Sequence, residues 1–232
     1  MRRAGRMLKT FQFQRRNDGF GRLHMLVWFT FVPSLVLGIF RVLYGFRLGG
    51  LHHLPSTGAF VVVCNHQSHF DPMVIGSVLR DRAPRALARR SLIEGNGLAG
   101  WLIGTAFGSI PVDQSGDDPG GMRRMFAELK AGRGVVIYPE GQRHADGTVH
   151  AFQRGLWLLI KRGGVPIIPV GLDGMAAAWP PGRSKPHLRG RTGVQIGAPI
   201  PVEDLKAMGE VEALAMLCQR VEDLAEAAAW WT

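Results

Sequence analysis

Two short runs of apolar, mostly β-branched residues, AFVVVC at 59–64 and GVVIYP at 134–139, lead straight into loops dense with polar side chains, NHQSHFD and EGQRHADG. Apolar runs of this length without polar alternation read as strands buried inside a sheet. In open α/β sheets, ligands gather at the carboxyl ends of such strands. The two polar loops are therefore the places to look for chemistry.

Further β-like runs fall at 85–88, 109–112, 167–171 and 192–196, and the first two runs give strands over 59–64 and 134–138. Helical patterning occupies 72–79, 98–107, 119–131 and 155–161, then one long C-terminal stretch from 202 to 230. The Pro-rich segment WPPGRSK at 179–185 reads as irregular. Alternation of this kind predicts an α/β fold, a mainly parallel or mixed sheet covered by helices. With 232 residues, 46% of them hydrophobic, the chain has enough apolar mass for one such core.

Charge is unevenly spread. Residues 1–50 hold nine basic side chains against the single acid Asp18, so this segment carries +8 of the formal +10. The same segment contains LHMLVWFTFVPSLVLGIF at 23–40, bracketed by Arg22 and Arg41. As a helix it is about 27 Å long, marginal for a bilayer crossing. Pro33 falls in mid-run and would kink or split a helix, so a shallow hairpin and a span both fit, with a buried helix of a soluble domain as the plainer alternative. No convincing cleavage site follows, and the basic flank favours an anionic membrane surface. The expectation is a membrane-anchoring helical segment over 1–50 and an α/β domain over 51–232. Cys64 and Cys218 stand far apart in apolar contexts, which predicts no disulfide framework and a reducing, cytoplasmic setting for the globular part.

In NHQSHFD, a histidine at a strand end can act as general base on a hydroxyl, and a carboxylate a short loop away can fix its tautomer. His66 and Asp71 suit these roles; the alternative is that Asp71 caps a helix beginning at Pro72 and that His66 or His69 is a structural polar residue. In YPEGQRHADG, Glu140, Gly141 and Arg143 reach the same sheet edge, where arginine can grip phosphate in a planar, bidentate manner. A solvated turn is the plainer reading. No G-x-S-x-G elbow, phosphate-binding P-loop or zinc spacing occurs, so neither a serine nucleophile nor a bound metal or cofactor is expected. Aromatics are not interleaved with the basic residues as in nucleic-acid stacking platforms, so no nucleic-acid partner is expected.

Four blocks in order resemble the glycerolipid acyltransferases of the PlsC, or 1-acyl-sn-glycerol-3-phosphate acyltransferase, type: NHQSHFD, GSIPVDQ at 108–114, YPEGQR with the nearby FQRG at 152–155, and VPIIPVGL at 165–172. The resemblance spans roughly 52–172. It implies that His66 and Asp71 are the catalytic pair; Asn65, Glu140, Gly141, Arg143 and Arg154 within the blocks, together with Arg89 outside them, are the candidate substrate-binding residues. It implies acyl transfer from acyl-CoA or acyl carrier protein to a lysophospholipid acceptor, at the cytoplasmic face of the cell membrane and among membrane lipids. Three positions depart from the family pattern: Gln114 stands where arginine is usual, His144 for serine and Gln153 for lysine. Gln114 removes a cation from the second block, which Arg143, Arg154 and Arg89 can replace, and it keeps open another lyso-lipid acceptor such as lyso-ornithine lipid. A non-enzymatic basic protein binding membrane or nucleic acid is the rival from another class. The segment at 97–107 is a candidate lining for an acyl channel, with core packing as the alternative.

Overall fold

A computed structural model describes residues 22–94, 97–101, 104, 108–113 and 119–229. Seven strands form one sheet: β1 (Arg47–Gly49), β2 (Val61–Cys64), β3 (Arg85–Arg89), β4 (Ile110–Val112), β5 (Val135–Ile137), β6 (Ile167–Asp173) and β7 (Gly193–Ile196). The order across it is β1-β7-β6-β2-β5-β3-β4. Only the β6–β7 pair is antiparallel, so the sheet is mixed, as the sequence predicts. β2 lies at the centre, with β6 on one side and β5 on the other.

The helices are α1 (Leu23–Tyr44), then α2 (Asp71–Val78), α3 (Arg90–Glu94), α4 (Gly97–Trp101), α5 (Pro119–Lys130), α6 (Gly155–Gly163), α7 (Met175–Ala178), α8 (Val202–Met208) and α9 (Glu210–Ala229). Strand side chains alternate between faces, and both faces are covered. Val62, Cys64, Val136, Ile168 and Val170 pack with Phe40 of α1 and Val74 and Ile75 of α2. Val61, Val63, Val135 and Ile137 pack with Leu129 of α5, Ile160 of α6 and Leu217 and Val221 of α9. This double burial is why the central strands carry no polar alternation.

α1 is one continuous helical run of 22 residues, about 33 Å long, and contains an 18-residue window with a mean hydropathy of 2.0, only 11% of which is buried. Pro33 neither splits it nor turns it back. The turn ahead of it, Val27–Phe31, widens to π geometry, which makes room for the proline ring and its missing N–H. The Ser34 hydroxyl donates to the Thr30 carbonyl at 2.6 Å in the same region. Phe29, Pro33, Phe40 and Tyr44 face the protein, whereas Leu23, Phe31, Leu35 and Val42 are exposed.

Some boundaries differ from the sequence reading. Residues 47–49, counted with the N-terminal segment, supply edge strand β1, which pairs with β7. The long C-terminal stretch is two helices, broken at Gly209, whose φ of 80° is left-handed; its expected end at Trp230 lies outside the described residues. Of the helix expected over 98–107, α4 reaches Trp101, and most of the remainder lies outside the described residues, as does Gln114. The short helix α3 was not expected.

α9 crosses the sheet tightly at Gly171 of β6, where an added Cβ would lie 2.1 Å from the Ala225 backbone nitrogen. Backbone cannot move aside as a side-chain tip does. Gly171→Ala is expected to destabilise the fold by about 1–3 kcal/mol, measured by urea unfolding of the detergent-solubilised chain; unchanged stability would show that α9 slides freely on the sheet.

Candidate active site

Strand β2 ends at Cys64, and the buried side chain of Asn65 then stands in for one more residue of sheet pairing. Its amide donates to the Leu172 carbonyl at 2.9 Å and its oxygen accepts from the Leu172 N–H at 2.8 Å. Asn65 thus latches the end of β2 to β6. The alternation of Val62 and Cys64 carries His66 towards the face of Val136 and Tyr138, and the His66 and Tyr138 rings stack with centroids 4.1 Å apart.

The Nδ1–H of His66 donates to Asp71 Oδ2 at 2.7 Å. The same oxygen accepts the backbone N–H groups of Gln67 at 2.7 Å and Ser68 at 2.8 Å. Asp71 is fully buried and is the first residue of α2, but its carboxylate faces back into the 66–68 loop and caps no helical N–H. The capping alternative therefore fails. With Nδ1 protonated, His66 Nε2 keeps its lone pair, on a side chain 13% exposed. His69 has a different environment: Arg143 Nη1 donates to its Nδ1 at 3.1 Å, and burial together with the Arg143 charge lowers its pKa. The two histidines of the motif are thus distinguished by their partners.

β5 is the parallel neighbour of β2, so its carboxyl-end loop meets the histidine loop directly, and the His144 N–H donates to the His66 carbonyl at 2.8 Å. Glu140 is 4% exposed. One carboxylate oxygen accepts the His66 N–H at 2.8 Å and the other the His150 N–H at 3.4 Å. Both carboxylate oxygens of Glu140 thus engage main chain, one at His66 and the other at His150. Burial raises its pKa from 4.5 to about 7, against the two backbone N–H groups, which lower it. Gly141 has φ 77°, and an added Cβ would meet Gln153 Nε2 at 2.1 Å. Gln153 donates to the Glu140 carbonyl at 3.1 Å, so this replacement for the usual lysine closes the loop.

Arg143 bonds His69 through Nη1, while its Nε is buried and without a hydrogen-bond partner. Burial chiefly lowers its pKa; the Asp71 charge opposes the shift and the Arg89 charge adds to it. Arg89, exposed at the end of β3, is therefore close enough for the two cations to sense each other. Arg154 does not join them. It is 87% exposed and pairs with Glu210 of α9 at 2.5 Å.

Tyr138, stacked on His66, also lines an apolar cavity of about 120 Å³, together with Trp28, Phe29 and Pro33 of α1, Met73 of α2 and Val136. Ser109 also lines it, whereas the described residues of the expected channel segment 97–107 do not. Tyr138 touches both His66 and the cavity, and its hydroxyl is buried without a partner. Its one signal in the sequence is position, two residues before Glu140 at the end of an apolar strand.

The acyltransferase family model matches residues 45–173, and the chain belongs to that family. The 1-acyl-sn-glycerol-3-phosphate acyltransferase alpha of Bos taurus is 34% identical over 188 residues, covering 79% of this chain and 64% of its own length. The chain thus spans just under two thirds of that relative. The 1-acyl-sn-glycerol-3-phosphate acyltransferase of Bacillus subtilis is 23% identical over 184 residues, covering 78% of this chain and 88% of its own. Among solved structures, PlsC, the 1-acyl-sn-glycerophosphate acyltransferase of Thermotoga maritima, superposes with a TM-score of 0.72 at 21% identity, covering 97% of this chain and 87% of that one. The fold is the same.

Glu140 generates a pH signature. An acid with a pKa near 7 when folded and 4.5 when free holds more protons in the folded state between those values, so its contribution makes stability fall as pH rises through that window. In Glu140→Gln that contribution is absent. The wild-type minus mutant stability difference is expected to fall by on the order of 3 kcal/mol from pH 4.5 to above 7, read by urea unfolding across that range; a flat difference would show that Glu140 is ionised throughout.

Proposed function

We propose that this chain is an O-acyltransferase that moves a fatty acyl group from acyl-CoA or acyl carrier protein to the free hydroxyl of 1-acyl-glycerol-3-phosphate, giving phosphatidate. The observation that carries the reading is the His66–Asp71 pair, with Nδ1 engaged at 2.7 Å and Nε2 left to accept a proton, beside an apolar cavity. Nε2 takes the proton of the acceptor hydroxyl as its oxygen attacks the thioester carbonyl carbon. The C–O bond forms, the C–S bond breaks, and the thiol leaves with the proton returned from His66. Asp71 stabilises the intervening imidazolium and holds the ring in line. The chemistry asks for no protein nucleophile and no bound cofactor.

Arg143, with Arg89 at the rim, is the proposed grip on the acceptor phosphate; the buried, unpartnered Nε of Arg143 supports an anionic ligand there. Asn65, Glu140 and Gly141 act by positioning the loops. The cavity below Tyr138 is the proposed shelter for an acyl chain. Residues 1–50 are the proposed anchor, with α1 in the bilayer of the cell membrane and β1 joining it to the catalytic unit at 51–232, which faces the cytoplasm. The printed activity of the bovine and Bacillus relatives supports the acceptor.

The test is transfer of a labelled acyl group from each donor to lysophosphatidate, glycerol 3-phosphate and lyso-ornithine lipid. Product on lysophosphatidate is expected, with a loss of about 10²–10⁴-fold in His66→Ala. Product only on lyso-ornithine lipid would move the acceptor, and full activity in His66→Ala would overturn the assignment of the base.

A further inference from the structure

Residues 174–202 contain no Asp or Glu, yet include Arg183, Lys185, Arg189 and Arg191. All four are exposed, and none has an acidic partner among the described residues; Arg183 bonds His187 instead. Leu188, in their midst, is 72% exposed. An apolar side chain held outward between cations is a pattern for the boundary of an anionic membrane, not for a protein core.

The loop is also tied to the end of the apolar helix. The Tyr44 hydroxyl donates to the His187 carbonyl at 2.5 Å, the Gly190 N–H to the Leu43 carbonyl at 3.2 Å, and the Thr192 N–H to the Tyr44 carbonyl at 3.0 Å. Arg41 and Arg47 are exposed where α1 ends, extending the basic surface, and residues 19–70 likewise lack any acid. At its other end the loop joins the active-site wall. The Trp179 carbonyl accepts from the Ser68 hydroxyl at 2.7 Å and from the His69 N–H at 3.4 Å. One segment therefore connects the foot of the exposed helix to the loop that carries His66.

We propose that residues 180–191 are a second membrane-contact element, one that docks on anionic phospholipid headgroups through Lys185, Arg189 and Arg191, seats Leu188 at the acyl boundary, and thereby fixes the tilt of the active site against the bilayer. The proposal rests on the reading of α1 as the anchor. It adds, on the globular unit, a dependence on lipid charge to that of the basic N-terminal segment.

The test uses the full chain with Cys218→Ser and Leu188→Cys, labelled at position 188 with a nitrobenzoxadiazole fluorophore and reconstituted into vesicles of phosphatidylcholine alone or with phosphatidylglycerol. Cys64 is fully buried and takes no label. Probe emission is expected to shift to the blue in the phosphatidylglycerol vesicles only, to return in high salt, and to be lost in Lys185→Gln/Arg189→Gln/Arg191→Gln with thermal unfolding unchanged. An equal emission in both vesicle types, or a blue shift that survives removal of the three charges, would overturn the proposal. His66→Ala is expected to leave the shift intact, which separates this result from the catalytic reading. Failure of the protein to float with either vesicle type would overturn the anchor, and this proposal with it.

Discussion

One oxygen atom organises the site. Asp71 Oδ2 gathers the His66 ring N–H and the Gln67 and Ser68 backbone N–H groups within 2.7–2.8 Å. A fully buried carboxylate is costly unless such donors surround it, and its place in the first turn of α2 sets it where the helix N-terminus favours negative charge. The same contacts determine the path of the loop and the tautomer of the ring. Removing the carboxylate would release the conformation of residues 66–68 and the orientation of the base together, so structural and chemical roles of Asp71 are inseparable.

Sheet order supplies everything that Asp71 does not. Because β2 is flanked by β5 and β6, its carboxyl end receives the Glu140 loop from one neighbour and the Leu172 latch from the other. Strand alternation then sends His66 and Tyr138 to the face covered by α1 and α2, where the cavity lies. α1, with apolar side chains exposed on its outer side, thus contributes Trp28, Phe29 and Pro33 to the apolar cavity that Tyr138 also lines. In the proposed function, a lipid acceptor and an acyl chain reach His66 from the side on which α1 meets the bilayer.

Much of this was legible in the sequence because it depends on local pattern. The unalternating runs ending at Cys64 and Pro139 marked central strands, and both polar loops proved to lie at one sheet edge. What local pattern does not show is which partners lie distant in sequence. Asn65 pairs with Leu172, and Glu140 with the main chain at His66 and His150. Arg154 sits in a motif-like FQRG, and only tertiary packing reveals that Glu210 claims it. Pro33 left a hairpin and a span both open because proline removes an N–H, and the π turn beside it in the continuous helix is invisible to periodicity. The three-residue strand β1 is too short to show a period at all.

The central claim is that Asp71 holds the proton on His66 Nδ1 and leaves Nε2 free as the base. ¹⁵N NMR of the histidine-labelled chain in detergent micelles at neutral pH, with His66 assigned by its disappearance in His66→Gln, reads the tautomer directly. The account predicts a protonated Nδ1 and an unprotonated Nε2 for His66. A proton on Nε2 of the neutral ring would contradict it, since that nitrogen would then have no lone pair with which to take the acceptor's proton.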